Sequence, residues 1–394
     1  MLRWAADRME IRGSGMDDDG FMTDRRGFAL GMAGLALAAS GSRAAAETVP
    51  PAIQRLYARA IVIDALATPD TWNVPFPPPG EMTAGKLANA RASGITAINL
   101  TVGGPGNLAA TIRGIGTWYR HIDEHPDHFR LVKRHADIAA AKAEGRLGII
   151  LGFQGLGMIG DDLGLIDSFA DLGVRIMQLT YNDRNALGAG SSLPDSEGLT
   201  PLGRAAVARM NARGILVDTG HANARTALDV VAASARPVAC THTGARAVFD
   251  SQRNQPDSVL RAIADRGGVV GIYLMPFLGH DPVAASRALF LRHLVHALDV
   301  CGEDHVGVGS DQSITPVEIS DAYMAVVRQT AEARQKAGIG APGEAETPVA
   351  VPDLNSARRL EIIAAELDRA HCPPRVIEKV IGGNFVRLFR EVWA

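Results

Sequence analysis

The chain has little cysteine, little net charge and no apolar run long enough to span a bilayer, and each shortage excludes a class of protein. Three cysteines in 394 residues, Cys240, Cys301 and Cys372, stand far apart and in an odd number. They cannot build a disulfide framework, and without paired spacing they do not form a zinc–thiolate site, so they read as buried or inert thiols. With 40 Lys+Arg against 43 Asp+Glu, the formal charge is -3, which leaves no basic footprint for nucleic acid or for an anionic membrane. A small molecule is the expected partner. What the chain does have is 47% hydrophobic residues, which suits a globular core and excludes disorder as the main state.

The first segment reads as an address. Asp24-Arg25-Arg26-Gly27-Phe28 is followed by a run of small apolar residues over 29–40 and then by Arg43-Ala44-Ala45-Ala46. An arginine pair, a short apolar stretch and a small-x-small end make a twin-arginine export signal, with cleavage expected after Ala46. Residues 1–21 read as an upstream extension, with Met22 as a candidate start. Cleavage leaves the formal charge at -3 and no membrane span, so residues 47–394 are expected to form one domain in the periplasm or outside the cell.

From residue 50 onward, short β-branched runs alternate with longer segments whose apolar residues recur at three and four. The runs lie at 61–63, 95–102, 147–153, 174–180, 215–218, 237–241, 268–274 and 306–309. Strands apolar on both faces and separated by helices predict a parallel sheet, and eight such units match a (β/α)8 TIM barrel. A doubly wound open sheet is the alternative, but it favours a Gly-rich turn after the first strand, where the chain has Asp64-Ala65-Leu66. After the eighth run come a helical excursion near 320–335, a Gly/Pro/Ala/Glu-rich loop over 338–352, and helical segments at 356–370 and 374–393.

Chemistry in such a barrel collects at the C-terminal ends of the strands. The polar residues there are Asp64, Gln154, Tyr181, Asn182, Asp218, His221, His242 and Asp311. Of 11 histidines, only His221 and His242 take such places. Two imidazoles from adjacent strand ends suit a shared cation, zinc above all, and a strand-end carboxylate such as Asp311 suits proton transfer with a water. The plainer reading is that each histidine satisfies a local hydrogen bond. His121, His125 and His128 cluster on the helix side and read as solvated surface; His305 enters strand eight at the opposite end, and His293 and His296 ride a helix.

These stretches resemble the renal or membrane dipeptidase family, the M19 metallopeptidases. The resemblance rests on Phe153-Gln154-Gly155, Leu179-Thr180-Tyr181-Asn182, Gly198-Leu199-Thr200, Val217-Asp218-Thr219-Gly220-His221, Thr241-His242-Thr243, Arg253-Asn254-Gln255-Pro256-Asp257, Gly309-Ser310-Asp311 and Gly382-Gly383-Asn384-Phe385, in order over about 55–394. It implies a barrel of the metallo-dependent-hydrolase type that cleaves dipeptides with two zinc ions sharing a bridging glutamate and a hydroxide. One ion takes a His-x-Asp pair after strand one; the other takes the two histidines that correspond to His221 and His242. The resemblance makes Arg253 the anchor for the substrate carboxylate, with Tyr181 and Asn182 beside the substrate, and Asp311 the acid/base. Relatives suggest a homodimer.

Three positions depart from the family pattern. The His-x-Asp pair is Leu66 and Thr68, the bridging glutamate is Gln154, and the family's histidine after strand four is Tyr181. The first metal loses its protein ligands, so one ion or none is expected, held by His221 and His242 with Gln154, or else Asp311, as the third ligand; Asp70 is a candidate to replace the lost carboxylate. A dipeptidase-like hydrolase with a reduced site is therefore one expectation. A catalytically silent binding or maturation factor is the other.

Overall fold

The computed structural model describes residues 49–75, 79–104, 106–279, 286–338, 340, 345 and 347–393. The export segment and its boundary at residue 46 lie outside the described residues. All eight expected runs form strands: β1 (Ile63–Asp64), β2 (Ala97–Gly103), β3 (Leu147–Phe153), β4 (Val174–Gln178), β5 (Leu216–Asp218), β6 (Ala239–Thr243), β7 (Val269–Ile272) and β8 (Val306–Val308). Each pairs in parallel with the next, in chain order. The edges meet where the Ala65 N–H donates to the Val308 carbonyl at 2.9 Å. Beyond that bond, Ala67–Thr68 pairs in parallel with Gln312–Ser313. This is the (β/α)8 barrel, and the open doubly wound sheet is excluded.

Burial explains the strand pattern. Every residue of β3 is buried, because one face meets the barrel interior and the other the surrounding helices. Inside the barrel, a Cβ on Gly309 would run into the Thr241 carbonyl, so only glycine allows the chains to approach there. The expected helices form at Gly164–Asp171, Pro201–Ala212, Ala224–Ala233, Asp257–Asp265 and Arg287–Cys301. Local chemistry starts several of them. Thr200 caps the Gly203 N–H ahead of Pro201, and Asn223 caps the Thr226 N–H, each filling a donor that the first turn leaves open. A strand at Phe129–Leu131, paired beside β3, was not expected, since three residues are too short to display an alternating pattern.

The two ends of the barrel are used differently. Ile63, Ala97, Leu216, Ala239 and Val269, near the strand starts, pack with Phe385, Leu388, Phe389 and Val392 of the closing helix Asn384–Val392. Phe385 and Phe389 are fully buried, each contributing about 2–3 kcal/mol by area. That plug closes the N-terminal end. At the other end, the excursion after β8 folds as the helix Asp321–Lys336, whose Tyr323 and Val327 pack with Val74 from the loop after β1. This helix roofs the strand ends where the polar residues collect.

Candidate active site

Two buried carboxylates prepare the site without entering it. Asp218, at the end of β5, accepts from the Gln178 amide at 2.7 Å, the Thr241 hydroxyl at 2.6 Å and the N–H groups of Thr241 and Gly220. Burial raises its carboxyl above the ordinary range, and these donors oppose the rise. Asp64, at the end of β1, accepts from the Ser310 N–H and hydroxyl at 2.7 and 2.6 Å, and Arg359 donates to the same hydroxyl at 3.1 Å. Asp64 thereby fixes the residue immediately before Asp311.

The two histidines have defined orientations. His221 donates from Nδ1 to Asn182 Oδ1 at 2.6 Å, an oxygen that also accepts from the Ser191 hydroxyl. His242 donates from Nδ1 to the Thr241 oxygen at 2.9 Å, whose own proton goes to Asp218. Each Nε2 is left with its lone pair, and both face the Gln154 amide nitrogen, at 3.4 and 3.3 Å. One NH2 group thus donates to both imidazoles. Burial, then the Arg253 charge, holds both well below the ordinary histidine pKa, so they are neutral. Gly220 is required between them, since a Cβ there would come 2.7 Å from His242 Cε1.

Around this pair stand the remaining expected residues. Tyr181 stacks on His221 with centroids 4.0 Å apart. Arg253 donates to the Gly220 carbonyl at 2.8 Å and to His221 Nε2 at 3.4 Å. Asp311 is 5% exposed and takes a left-handed φ of 56°, an uncommon geometry for a non-glycine residue. Its backbone is held by the Leu66 carbonyl and the Asn73 amide, and its Oδ1 accepts from Trp72 Nε1 at 2.8 Å. Burial pushes its carboxyl up to about 6, against the opposing pull of Trp72, Arg253, Asn73 and Arg334. Tyr181, Asn182, His221, Arg253 and Asp311 line one cavity, with Arg334 and Val327 in its roof. Gln154 lines an adjoining cavity with Trp72 and Thr101, and His242 is wholly buried.

At the positions that the family resemblance gives to a first ion's ligands, Leu66 offers only hydrocarbon, Gln154 carries no charge, and the Thr68 hydroxyl accepts from the Asp70 N–H. Asp70 does not compensate, because its carboxylate binds Lys86 at 2.5 Å and the Gly80 N–H. Among the described residues no group of three or more His, Cys, Asp or Glu side chains is placed to hold a metal. His221, His242 and Gln154 would suit one ion. The histidine Nε2 lone pairs converge on the Gln154 amide, their Nδ1 protons are fixed as metal-bound imidazoles require, and Gln154 would supply an oxygen if its amide were turned over.

Sequence reading missed Trp72, Asn73 and Arg334. Their signal was faint, although Val327, Ala331 and Arg334 recur at four and three along one helix face. It also misread His121, which is buried against Trp118 with centroids 5.3 Å apart; an edge of the helix Leu108–Glu124 carries it inward. His125 and His128 are half-buried. His293 is buried between the Ala245 N–H and the Leu278 carbonyl, and His305 caps the Gly268 carbonyl at the far end. The cysteines are free, with burial pushing Cys240 and Cys301 up to about 12.

Residues 77–328 match the model of the family described as membrane dipeptidase, peptidase family M19. The chain is 27% identical over 289 residues to dipeptidase tcpJ of Claviceps purpurea, a match covering 73% of this chain and 60% of that one. It is 32% identical over 209 residues to dipeptidase verJ of Clonostachys rogersoniana, covering 52% and 53%. The chain therefore spans little more than half the length of these curated relatives. A crystal structure of an amidohydrolase from Pseudomonas aeruginosa superposes with a TM-score of 0.75 at 28% identity, covering 86% of this chain and 99% of that one. Barrel, strand-end residues and family match agree: the chain belongs to the membrane dipeptidase family, peptidase family M19.

Proposed function

We propose that the protein is a hydrolase of the membrane-dipeptidase type that cleaves a dipeptide or small peptide-like amide with at most one metal ion. One observation carries the reading: His221, Arg253 and a carboxyl with a pKa near 6, Asp311, line a single cavity, while Leu66, Thr68 and Gln154 stand where a first metal would need ligands. Arg253 would anchor the substrate carboxylate with two parallel donors. His221, His242 and the turned Gln154 amide would hold a zinc ion, which supplies Lewis-acid charge and lowers the pKa of a bound water. Asp311 takes a proton from the attacking water as its oxygen adds to the amide carbon. It then returns that proton to the nitrogen as the C–N bond breaks, giving one acid and one amine. Trp72 and Asn73 position this carboxylate, and Thr241 with Asp218 positions His242.

A second reading, a non-hydrolytic binding or maturation factor, is favoured by the Gln154 NH2 group, which satisfies both imidazoles without a metal. Export by the twin-arginine route to the periplasm or beyond, one domain over 47–394, and a homodimer complete the proposal. Its support is the sequence; no helix among the described residues is long and apolar enough to cross a membrane. Metal analysis and dipeptide turnover on one purified sample separate the readings. Hydrolysis that chelation abolishes and one equivalent of zinc restores supports the first. Substrate binding without turnover at any metal concentration supports the second.

A further inference from the structure

Above the strand ends, the cavity is walled largely by hydrocarbon. On the helix Asp321–Lys336, Val327, Thr330, Ala331 and Arg334 recur at helical spacing along one face, and all four line the cavity. Arg334 is engaged with Tyr181, donating to its hydroxyl at 3.2 Å and lying over its ring. Val327 belongs with Val74 and Val349 to one apolar cluster, and all three border the cavity. The segment after β7 adds Met275 and Phe277. The Asn73 and Gln312 amides hold the Met275 sulfur at 3.8 and 3.3 Å, and Phe277 leans on the Tyr273 ring.

The polar lining already has tasks. Asn182 accepts from His221 Nδ1, and the Asn73 amide donates to the Asp311 carbonyl. In the proposed reaction Arg253 takes the substrate carboxylate, while His221 and Asp311 face the scissile amide. The side chain of the residue that carries the carboxylate is then left with Val327, Val349, Met275 and Phe277. A hydroxyl or amide buried among them without a partner is disfavoured. Each methylene buried there should instead raise affinity about fourfold.

We propose that Val327 and Val349 are specificity-determining residues and that the preferred substrates carry an apolar side chain on the residue whose carboxylate Arg253 anchors. The assignment rests on the anchoring role of Arg253 proposed above and names the substrate class of that site. It concerns binding, so it is tested without turnover.

The test is calorimetric titration of the purified protein with N-acetylvaline and with N-acetylthreonine, which have the same shape and differ by a methyl against a hydroxyl. Each is used as its L and its D form, and the tighter form of each is compared. The valine compound should bind at least about tenfold more tightly. Val327→Thr keeps the shape of the roof and should cut that preference at least about threefold, chiefly by weakening the valine compound. Val349→Thr, at a half-buried position, should act in the same direction and serves where Val327→Thr fails to fold. Arg253→Lys should weaken both compounds alike. Equal affinities in the unmodified protein, as a hydroxyl paired with Thr330 would give, overturn the assignment while leaving the Arg253 anchor standing. So does a preference that the folded variants leave unchanged. Failure of the unmodified protein to bind either compound overturns both.

Discussion

Replacing Asp311 by asparagine tests the electrostatics of the site in a quantity that does not depend on knowing the substrate. The Asp311 carboxyl is held at about 6, against an ordinary 3.8, chiefly by burial. A rise of that size corresponds to about 3 kcal/mol. Because the folded pKa is raised, the folded state binds the extra proton, and stability falls as pH rises from about 4 through 6. Below pH 4 the group is protonated in both states and contributes no difference. Asparagine keeps the shape, still accepts from Trp72 and carries no charge. Asp311→Asn should therefore match the parent protein near pH 4 and exceed it by up to about 3 kcal/mol at pH 8. Urea unfolding at a series of pH values, with chelator present, reads this directly. A constant offset across pH, or a variant less stable at pH 8, would show that burial of this carboxylate carries no such cost. The same substitution should abolish hydrolysis, so stability and activity move in opposite directions, as expected where a charged group is buried for function.

Three further outcomes are expected. Arg253→Lys should raise KM for a dipeptide roughly 10- to 100-fold, the range for losing a charged hydrogen bond, with kcat changed by only a few-fold; steady-state kinetics check it, and an unchanged KM contradicts the anchor. Thr241→Val should cost about 1–3 kcal/mol in urea unfolding, because it leaves both the His242 Nδ1–H and one Asp218 oxygen without their shared partner. Replacing Arg25 and Arg26 by lysine should retain the chain in the cytoplasm, which fractionation of an expressing bacterium reads; unchanged export contradicts the twin-arginine assignment.

The barrel was legible because its strands are buried on both faces and its helices on one, so two periodicities alternate visibly from 61–63 to 306–309. Strand ends then located Asp218, His221, His242 and Asp311 before any contact was known. What stayed hidden depends on long-range placement. Trp72 and Asn73 meet Asp311 across 239 and 238 residues of chain, and nothing in their local pattern marks them. Arg334 sits on a helix outside the repeating unit, so no strand end points to it. His121 looked solvated because acidic neighbours surround it in sequence, yet the helix turns its ring onto Trp118. Asp70 looked like a spare ligand until Lys86 claimed it. The orientation of Gln154 also lies beyond sequence, since which amide atom faces the imidazoles follows from Nδ1 partners on two other strands.

The proposed chemistry turns on the loss of the first metal site. Elemental analysis of the purified protein, beside Gln154→Glu and on the same samples used for dipeptide turnover, tests that loss without an intermediate step. At most one transition-metal ion per chain is expected in the unmodified protein. In Gln154→Glu the single ion should bind more tightly with still no second, because Leu66 and Thr68 are unchanged. Two tightly bound zinc ions per chain in the unmodified protein, with turnover that depends on both, would contradict it.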